Sequence, residues 1–135
     1  NPDTRKHIHK SVHNKANSIA KSMNATVEVT LPLDYSYPIT YNDEKLMAEM
    51  LPIIQSTAGA GNAKVTNPVT GAEDFSFFQE KVPCLYLFVG GRSKDTPAAQ
   101  APGHHTPEFQ IDESGMKLGV KLLTNLTLDY MKNHQ

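Results

Sequence analysis

The chain has 135 residues, 39% of them hydrophobic and 20% charged, which suits one ordinary domain or a piece of a larger one with a core to bury. Its formal net charge of -1 gives no reason to expect nucleic acid or an anionic membrane as a partner, and no apolar run approaches the roughly 20 residues that span a bilayer. The single cysteine, Cys84, excludes an internal disulfide, and there is no CxxC zinc pattern.

The start is polar, does not read as a signal peptide and lacks an initiator methionine, so the natural chain is expected to extend upstream. Asn1-Pro2-Asp3 reads as a helix start: a side-chain acceptor, a proline at the first helical position, and a carboxylate at the positive end of the dipole. Ile8, Val12, Ala16, Ile19, Ala20 and Met23 then fall at helical spacing and predict one buried face, with Asn24 as the stop. From Thr26 the period changes to two. Val27, Val29, Leu31, Leu33, Tyr35 and Tyr37 alternate with Glu28, Thr30, Pro32, Asp34 and Ser36, which predicts a half-buried strand. Pro32 makes it an edge strand or bulges it. A helix and one edge strand do not make a stable sheet, so residues 1–37 are expected to pair outside themselves.

Pro38 to Asp43 reads as a linker, with Asn42 or Asp43 capping the next helix, whose apolar stripe is Leu46, Met47, Met50, Leu51 and Ile54. Pro52 is expected to kink that helix or end its regular bonding. Ser56 to Asn62 reads as a turn and Ala63 to Thr66 as a short strand. Leu85 to Val89 is a continuous apolar run between Pro83 and Gly90-Gly91, which predicts a strand buried on both faces of a parallel sheet. Gly90 to Gly103 reads as a long loop, and loops of that length are often functional. Asp112-Glu113-Ser114 opens a last helix with Met116, Gly119, Val120, Leu123, Leu126, Thr127 and Tyr130 on one face. The alternation predicts α/β architecture for residues 39–135.

Three segments carry the chemistry. Gly71-Ala72-Glu73-Asp74-Phe75 sets two carboxylates beside a glycine, able to hold a cation or orient a histidine; read alone, one of them simply caps a short helix at Phe75 to Phe78. Gly90-Gly91 follows the expected buried strand, where ligands bind in open α/β sheets and a glycine lets backbone approach a substrate; read alone, it is a tight turn. His104-His105-Thr106-Pro107 offers imidazole, the commonest metal ligand, stiffened by Pro107; read alone, it is two solvated loop histidines. Two histidines fall short of the three protein ligands of a catalytic zinc. His7, His9 and His13, on the first helix, are read as solvated. There is no GxSxG elbow, phosphate-binding glycine loop or HExxH, and Cys84 reads as a small buried hydrophobe.

The order of these segments is itself a signal. Tyr41-Asn42-Asp43, then Gly71-Ala72-Glu73-Asp74-Phe75, Val82-Pro83, Leu87-Phe88-Val89-Gly90-Gly91, His105-Thr106-Pro107 and Ile111-Asp112-Glu113 before a closing helix resembles the C-terminal part of the two-metal amidohydrolases. These are the hippurate hydrolases, aminoacylases and auxin-conjugate amidohydrolases, related to zinc carboxypeptidases. The resemblance covers nearly the whole chain.

It implies a zinc-peptidase-like α/β catalytic domain carrying an inserted α+β lid used for dimerisation. Residues 1–38 would be the last helix and strand of the lid, and residues 39–135 the returning part of the catalytic domain. It implies that His105 is a metal ligand, with His104 second choice. It also implies that Glu73 and Asp74 line or support the metal pocket and that Gly90 and Gly91 lie near the substrate. In such enzymes two divalent ions, zinc or manganese or cobalt, polarise the amide carbonyl and activate a bridging water, and a glutamate moves the proton. That glutamate and the other ligands come earlier in the family's sequence. No catalytic residue is therefore expected here, and the chain by itself is expected to be inactive and to hold metal weakly or not at all. The expected partners are a small N-acyl amino acid and, through the lid, a second copy, with no nucleic acid and no membrane, in the cytoplasm. The competing expectation is a non-catalytic α/β binding or dimerisation module.

Overall fold

The computed structural model describes residues 1–31 and 36–135. Their regular structure is helical: α1 (Pro2–Ser22), α2 (Glu44–Ala58), α3 (Ser76–Gln79) and α4 (Met116–Asn133), with 3₁₀ turns at Ala60–Asn62, Ala98–Gln100 and Glu113–Gly115. No strand occurs among the described residues, which corrects the α/β class, the strand of the expected lid and the buried strand at Leu85 to Val89. The chain divides into two compact units: Asn1–Tyr41 with Thr70–Val82, and Asn42–Val69 with Pro83–Gln135.

In the first unit the start of α1 follows the sequence closely. The Asn1 side chain accepts from the backbone N–H of Asp3 at 2.8 Å, and Pro2 needs no partner at the first helical position. The helix ends where Asn24 takes a left-handed φ of 51°. That lets Ala25 N–H reach the Ala20 carbonyl and Asn24 N–H the Lys21 carbonyl, the paired closure of a Schellman turn. The apolar stripe, however, is not buried: no α1 residue is, and Ile19 is 61% exposed. Beyond the helix, residues 26–31 run without regular structure, and the His13 ring Nε2 meets the Leu31 carbonyl at 2.9 Å. The rest of the expected strand, 32–35, lies outside the described residues. In α3, Ser76 and Gln79 are buried, and Phe77 sets its ring 5.7 Å from that of Tyr37.

The second unit is built on α2 packed against α4. Asp43 caps α2, accepting from Leu46 N–H at 2.9 Å. The helix does not end at Pro52; it continues to Ala58 and stops at Gly59, whose φ of 84° suits a residue without a Cβ. Met50 and Ile54 of α2 and Leu122 of α4 are the buried apolar residues, and Asn125 donates to the Thr57 hydroxyl beside them at 3.0 Å. The α4 face turned inward is Leu118, Gly119, Leu122, Asn125 and Leu126, not the Met116, Val120, Leu123 and Tyr130 set, which is exposed. Both stripes have helical spacing, so periodicity alone does not choose between them. At the C-terminus His134 Nε2 meets Glu49 Oε1 at 2.7 Å and stacks on Tyr130 with ring centroids 4.2 Å apart, tying α4 to α2.

Why Leu85 to Val89 is no strand is visible in its hydrogen bonds. Strand pairing needs a neighbouring extended backbone. Here Asn42 stands in for one: its Oδ1 accepts from Tyr86 N–H at 2.6 Å and its Nδ2 donates to the Tyr86 carbonyl at 3.1 Å. Asp43 N–H adds a bond to the Cys84 carbonyl at 3.1 Å. Leu85 and Leu87 are half-buried, while Phe88 is 66% exposed, so the run is not covered on both faces. The Ala63 to Thr66 segment is likewise irregular, with Val65 fully exposed.

Met50→Ala is expected to cost about 2–5 kcal/mol by urea denaturation and Leu123→Ala within about 0.5 kcal/mol, because the first empties a packed site and the second removes an exposed side chain. Equal losses would contradict the inward face assigned to α4.

Candidate active site

The sequence-predicted site residues divide between the two units. Glu73 and Asp74 belong to the first; Gly90, Gly91, His104 and His105 belong to the second.

Glu73 and Asp74 open the turn that leads into α3. The Glu73 carboxylate accepts from Phe75 N–H at 3.2 Å, and its backbone carbonyl accepts from the Ser76 hydroxyl at 2.6 Å and Ser76 N–H at 3.2 Å. The Asp74 carbonyl accepts from Phe77 N–H at 3.0 Å. Glu73 thus closes the turn ahead of α3, while Phe75 occupies the N-cap position and no side chain caps the helix. Its side chain is half-buried, whereas Asp74 is exposed.

Gly91 and Gly115 are required by the chain's own packing, whereas a Cβ on Gly90 would meet open space. A Cβ on Gly91 would lie 2.9 Å from Ile111 Cγ1, and one on Gly115 would lie 2.7 Å from the Gly90 carbonyl oxygen. Asp112 N–H bonds the Gly91 carbonyl at 2.7 Å across the same approach. Gly91 and Gly115 thus admit the close approach of the segment that opens α4. Next to them the Arg92 guanidinium turns back on its own loop, donating to the Ser93 carbonyl at 3.2 Å and to the Thr96 carbonyl.

The two histidines are treated differently by the loop. His104 sets its ring edge-on to Phe109, with centroids 5.0 Å apart. His105 has a left-handed φ of 63°, uncommon for a residue with a Cβ. The Thr106 hydroxyl donates to the Gly103 carbonyl at 2.9 Å, and Phe109 N–H reaches the Thr106 carbonyl at 3.1 Å, so the turn that bends His105 is closed on both sides. Both rings are exposed. The strained backbone sets His105 on a different course from its neighbour, and such strain is often stored where a side chain must be aimed.

Among the described residues no group of three or more His, Cys, Asp or Glu is placed to hold a metal ion. A catalytic zinc takes three protein ligands and a water. The described residues therefore do not by themselves fit a metal centre; His105 could contribute one donor to a site completed by others.

The loop is tied down at its far end by Asp112. Its side chain accepts from Ser114 N–H at 2.9 Å. The Ser114 side chain foremost, then that N–H, and more weakly the charge of Lys94, hold its carboxyl below the usual carboxylate range against a small opposing effect of desolvation.

Sequence reasoning missed two residues. The sequence offers Asn42 as a cap and as part of the Tyr41-Asn42-Asp43 motif, and the signal for its further role is the tandem Asn42-Asp43: Asp43 caps α2, leaving the Asn42 amide for Tyr86. Gln79 is buried and bonded to both backbone groups of Tyr41. Nothing in its spacing marks it.

Compared with protein families, residues 3–129 match the model of peptidase family M20/M25/M40. Thermostable carboxypeptidase 2 of Saccharolobus solfataricus is 37% identical over 102 residues, covering 76% of this chain and 24% of that protein. IAA-amino acid hydrolase ILR1-like 4 of Arabidopsis thaliana is 30% identical over 108 residues, 80% of this chain and 24% of that protein. A putative amidohydrolase, YhaA, of Bacillus subtilis is 23% identical over 123 residues, 91% of this chain and 30% of that protein. The chain spans about a quarter of the length of the first of these relatives. No solved structure matches.

A native carboxyl held low stabilises the fold at pH values above the unfolded aspartate value of about 3.9, and that contribution is lost as pH falls through the lower native value. Asp112→Asn should therefore lower the urea midpoint near neutral pH and match the parent chain in strong acid; a constant difference at all pH values would mean the carboxyl charge is not what Ser114 holds.

Proposed function

This chain belongs to peptidase family M20/M25/M40, and we propose that the protein carrying it hydrolyses the amide bond of N-acyl amino acids or small peptides, with divalent metal ions, in the manner of hippurate hydrolases and aminoacylases. The observation that carries the reading is the backbone of His105. It departs from ordinary geometry at the one histidine that the His-Thr-Pro resemblance marks as a metal ligand. His104, held against Phe109, is the second choice.

Family members are generally metal-dependent, and among the described residues no group of donors forms such a site. The division of labour we propose follows from that. His105 supplies one imidazole; Glu73 and Asp74 support the pocket through hydrogen bonds and charge; Gly90 and Gly91 shape the approach to it. The general base and the remaining ligands have no counterpart in this chain. We propose zinc, manganese or cobalt as the metal and an N-acyl amino acid or small peptide as the substrate. We also propose assembly as a homodimer through residues 1–38, for which the exposed apolar stripe of α1 is the support: a lid helix that meets a second copy needs an outward apolar face. The same stripe also supports the second reading, a non-catalytic binding or dimerisation module. The two part on a single measurement, turnover by the whole protein.

In the whole protein His105→Ala should lower kcat/KM for an N-acyl amino acid on the order of a thousandfold or more, because a metal ligand acts as part of a unit, while His104→Ala should cost about tenfold or less. Steady-state kinetics with circular dichroism checks this. Near-normal turnover by a folded His105→Ala protein removes His105 from the site, and no turnover by the parent protein favours the binding module.

A further inference from the structure

Gln79 closes α3 and is only 6% exposed. A buried primary amide must place two N–H donors and a carbonyl. It meets a single stretch of backbone: Oε1 accepts from Tyr41 N–H at 3.0 Å, and Nε2 donates to the Tyr41 carbonyl. This is the reciprocal pair that two antiparallel strands exchange, so it fixes both the distance and the direction of the backbone it meets.

The other end of the turn is closed from within. Ser76, completely buried, bonds the Glu73 carbonyl through both its hydroxyl and its N–H. Glu73 Oε1 accepts from Phe75 N–H, and Gln79 N–H reaches back to the Phe75 carbonyl at 3.4 Å. Glu73 to Gln79 is therefore one hydrogen-bonded turn, and Gln79 joins it to Tyr41. The Tyr37–Phe77 ring pair is a second tie, but a tilted aromatic contact tolerates sliding that a two-point amide pair does not.

We infer that Gln79 is a positioning residue: its amide, paired with both polar groups of Tyr41, sets where the turn bearing Glu73 and Asp74 stands. This deepens the hydrolase reading and rests on it for the role of the two carboxylates. Gln79 touches neither substrate nor metal in this scheme; it acts through the turn.

Two substitutions separate positioning from simple loss of fold. Gln79→Glu keeps the shape but replaces the N–H donor with a second acceptor facing the Tyr41 carbonyl. When the new carboxyl is protonated, one donor and one acceptor are restored. Gln79→Met keeps the length and offers neither. In the whole protein, amide hydrogen exchange at Tyr41 and Phe75 to Phe78 and the kinetics of an N-acyl amino acid are measured against pH, each relative to the parent protein at the same pH. The expected result for Gln79→Glu at neutral pH is exchange faster by about tenfold and kcat lower by on the order of tenfold to a hundredfold, with KM little changed. Both deficits should shrink as the pH is lowered, while Gln79→Met stays deficient throughout. Parent-like exchange in both variants overturns the proposal. So does a kcat that falls in Gln79→Glu without any recovery in acid, since that marks a damaged fold and not a misplaced turn. If the parent protein hydrolyses no N-acyl amino acid or small peptide, the hydrolase reading fails, and the exchange data alone decide whether Gln79 sets the turn.

Discussion

An extended backbone must place its N–H and carbonyl groups, and at Tyr41 and Tyr86 side-chain amides take both of them. Residues 84–86 meet no neighbouring strand among the described residues; instead Asn42 takes both polar groups of Tyr86 and Asp43 N–H takes the Cys84 carbonyl. Gln79 does the same for Tyr41. Buried polar backbone left unpaired costs about 1–3 kcal/mol per group, so these two amides hold together segments that have few apolar contacts of their own. Tyr41, Asn42 and Asp43 follow one another in sequence, and each engages a different part of its unit: α3, the 86 backbone, and the N-terminus of α2.

The apolar side of the structure is thin by comparison. Met50, Ile54 and Leu122 are the buried hydrophobic residues among those described, all of them in the α2–α4 pair. Helix α1 buries none of its stripe, and α4 turns Leu123, at 70% exposure, outward together with Val120. Contacts of this kind give an α-helix its place but little of its stability, since most helical stability in a protein comes from packing one apolar face. The ends of the helices therefore matter more than usual. Asn1, Asp43 and Asp112 each satisfy backbone donors at a helix start, and the His134–Glu49 contact fastens the last turn of α4 to α2.

The candidate site follows the same logic of local closure. The loop from Gly90 to Gly103 is bounded by the Gly91–Asp112 bond on one side and by the Gly103–Thr106 turn on the other. Between them, Arg92 spends its donors on carbonyls of its own loop. What this arrangement leaves for chemistry is an imidazole, His105, on a backbone bent out of the usual region. A lone imidazole binds and orients but does not hydrolyse, so the chemistry proposed for the family member that carries this chain needs groups beyond His105.

Sequence alone determined what depends on near neighbours. Asn1-Pro2-Asp3, the Asn24 stop and a cap at Asn42 or Asp43 were legible because caps and left-handed closures are set by a few adjacent residues; the structure chose Asp43. The motif order from Glu73-Asp74 to His105-Thr106-Pro107 was legible too, and with it the family. Tertiary structure decided the rest. Alternation in residues 26–31 and an apolar run at 85–89 are compatible with strands, but a strand exists only if another extended backbone lies beside it, and periodicity cannot say whether one does. Two helical stripes on α4 were equally regular, and only packing against Met50 and Ile54 chose Leu122 over Leu123. Gln79 and Asn42 were invisible as anchors because their partners, Tyr41 and Tyr86, are backbone groups dozens of positions away, and a backbone group carries no signature in the sequence.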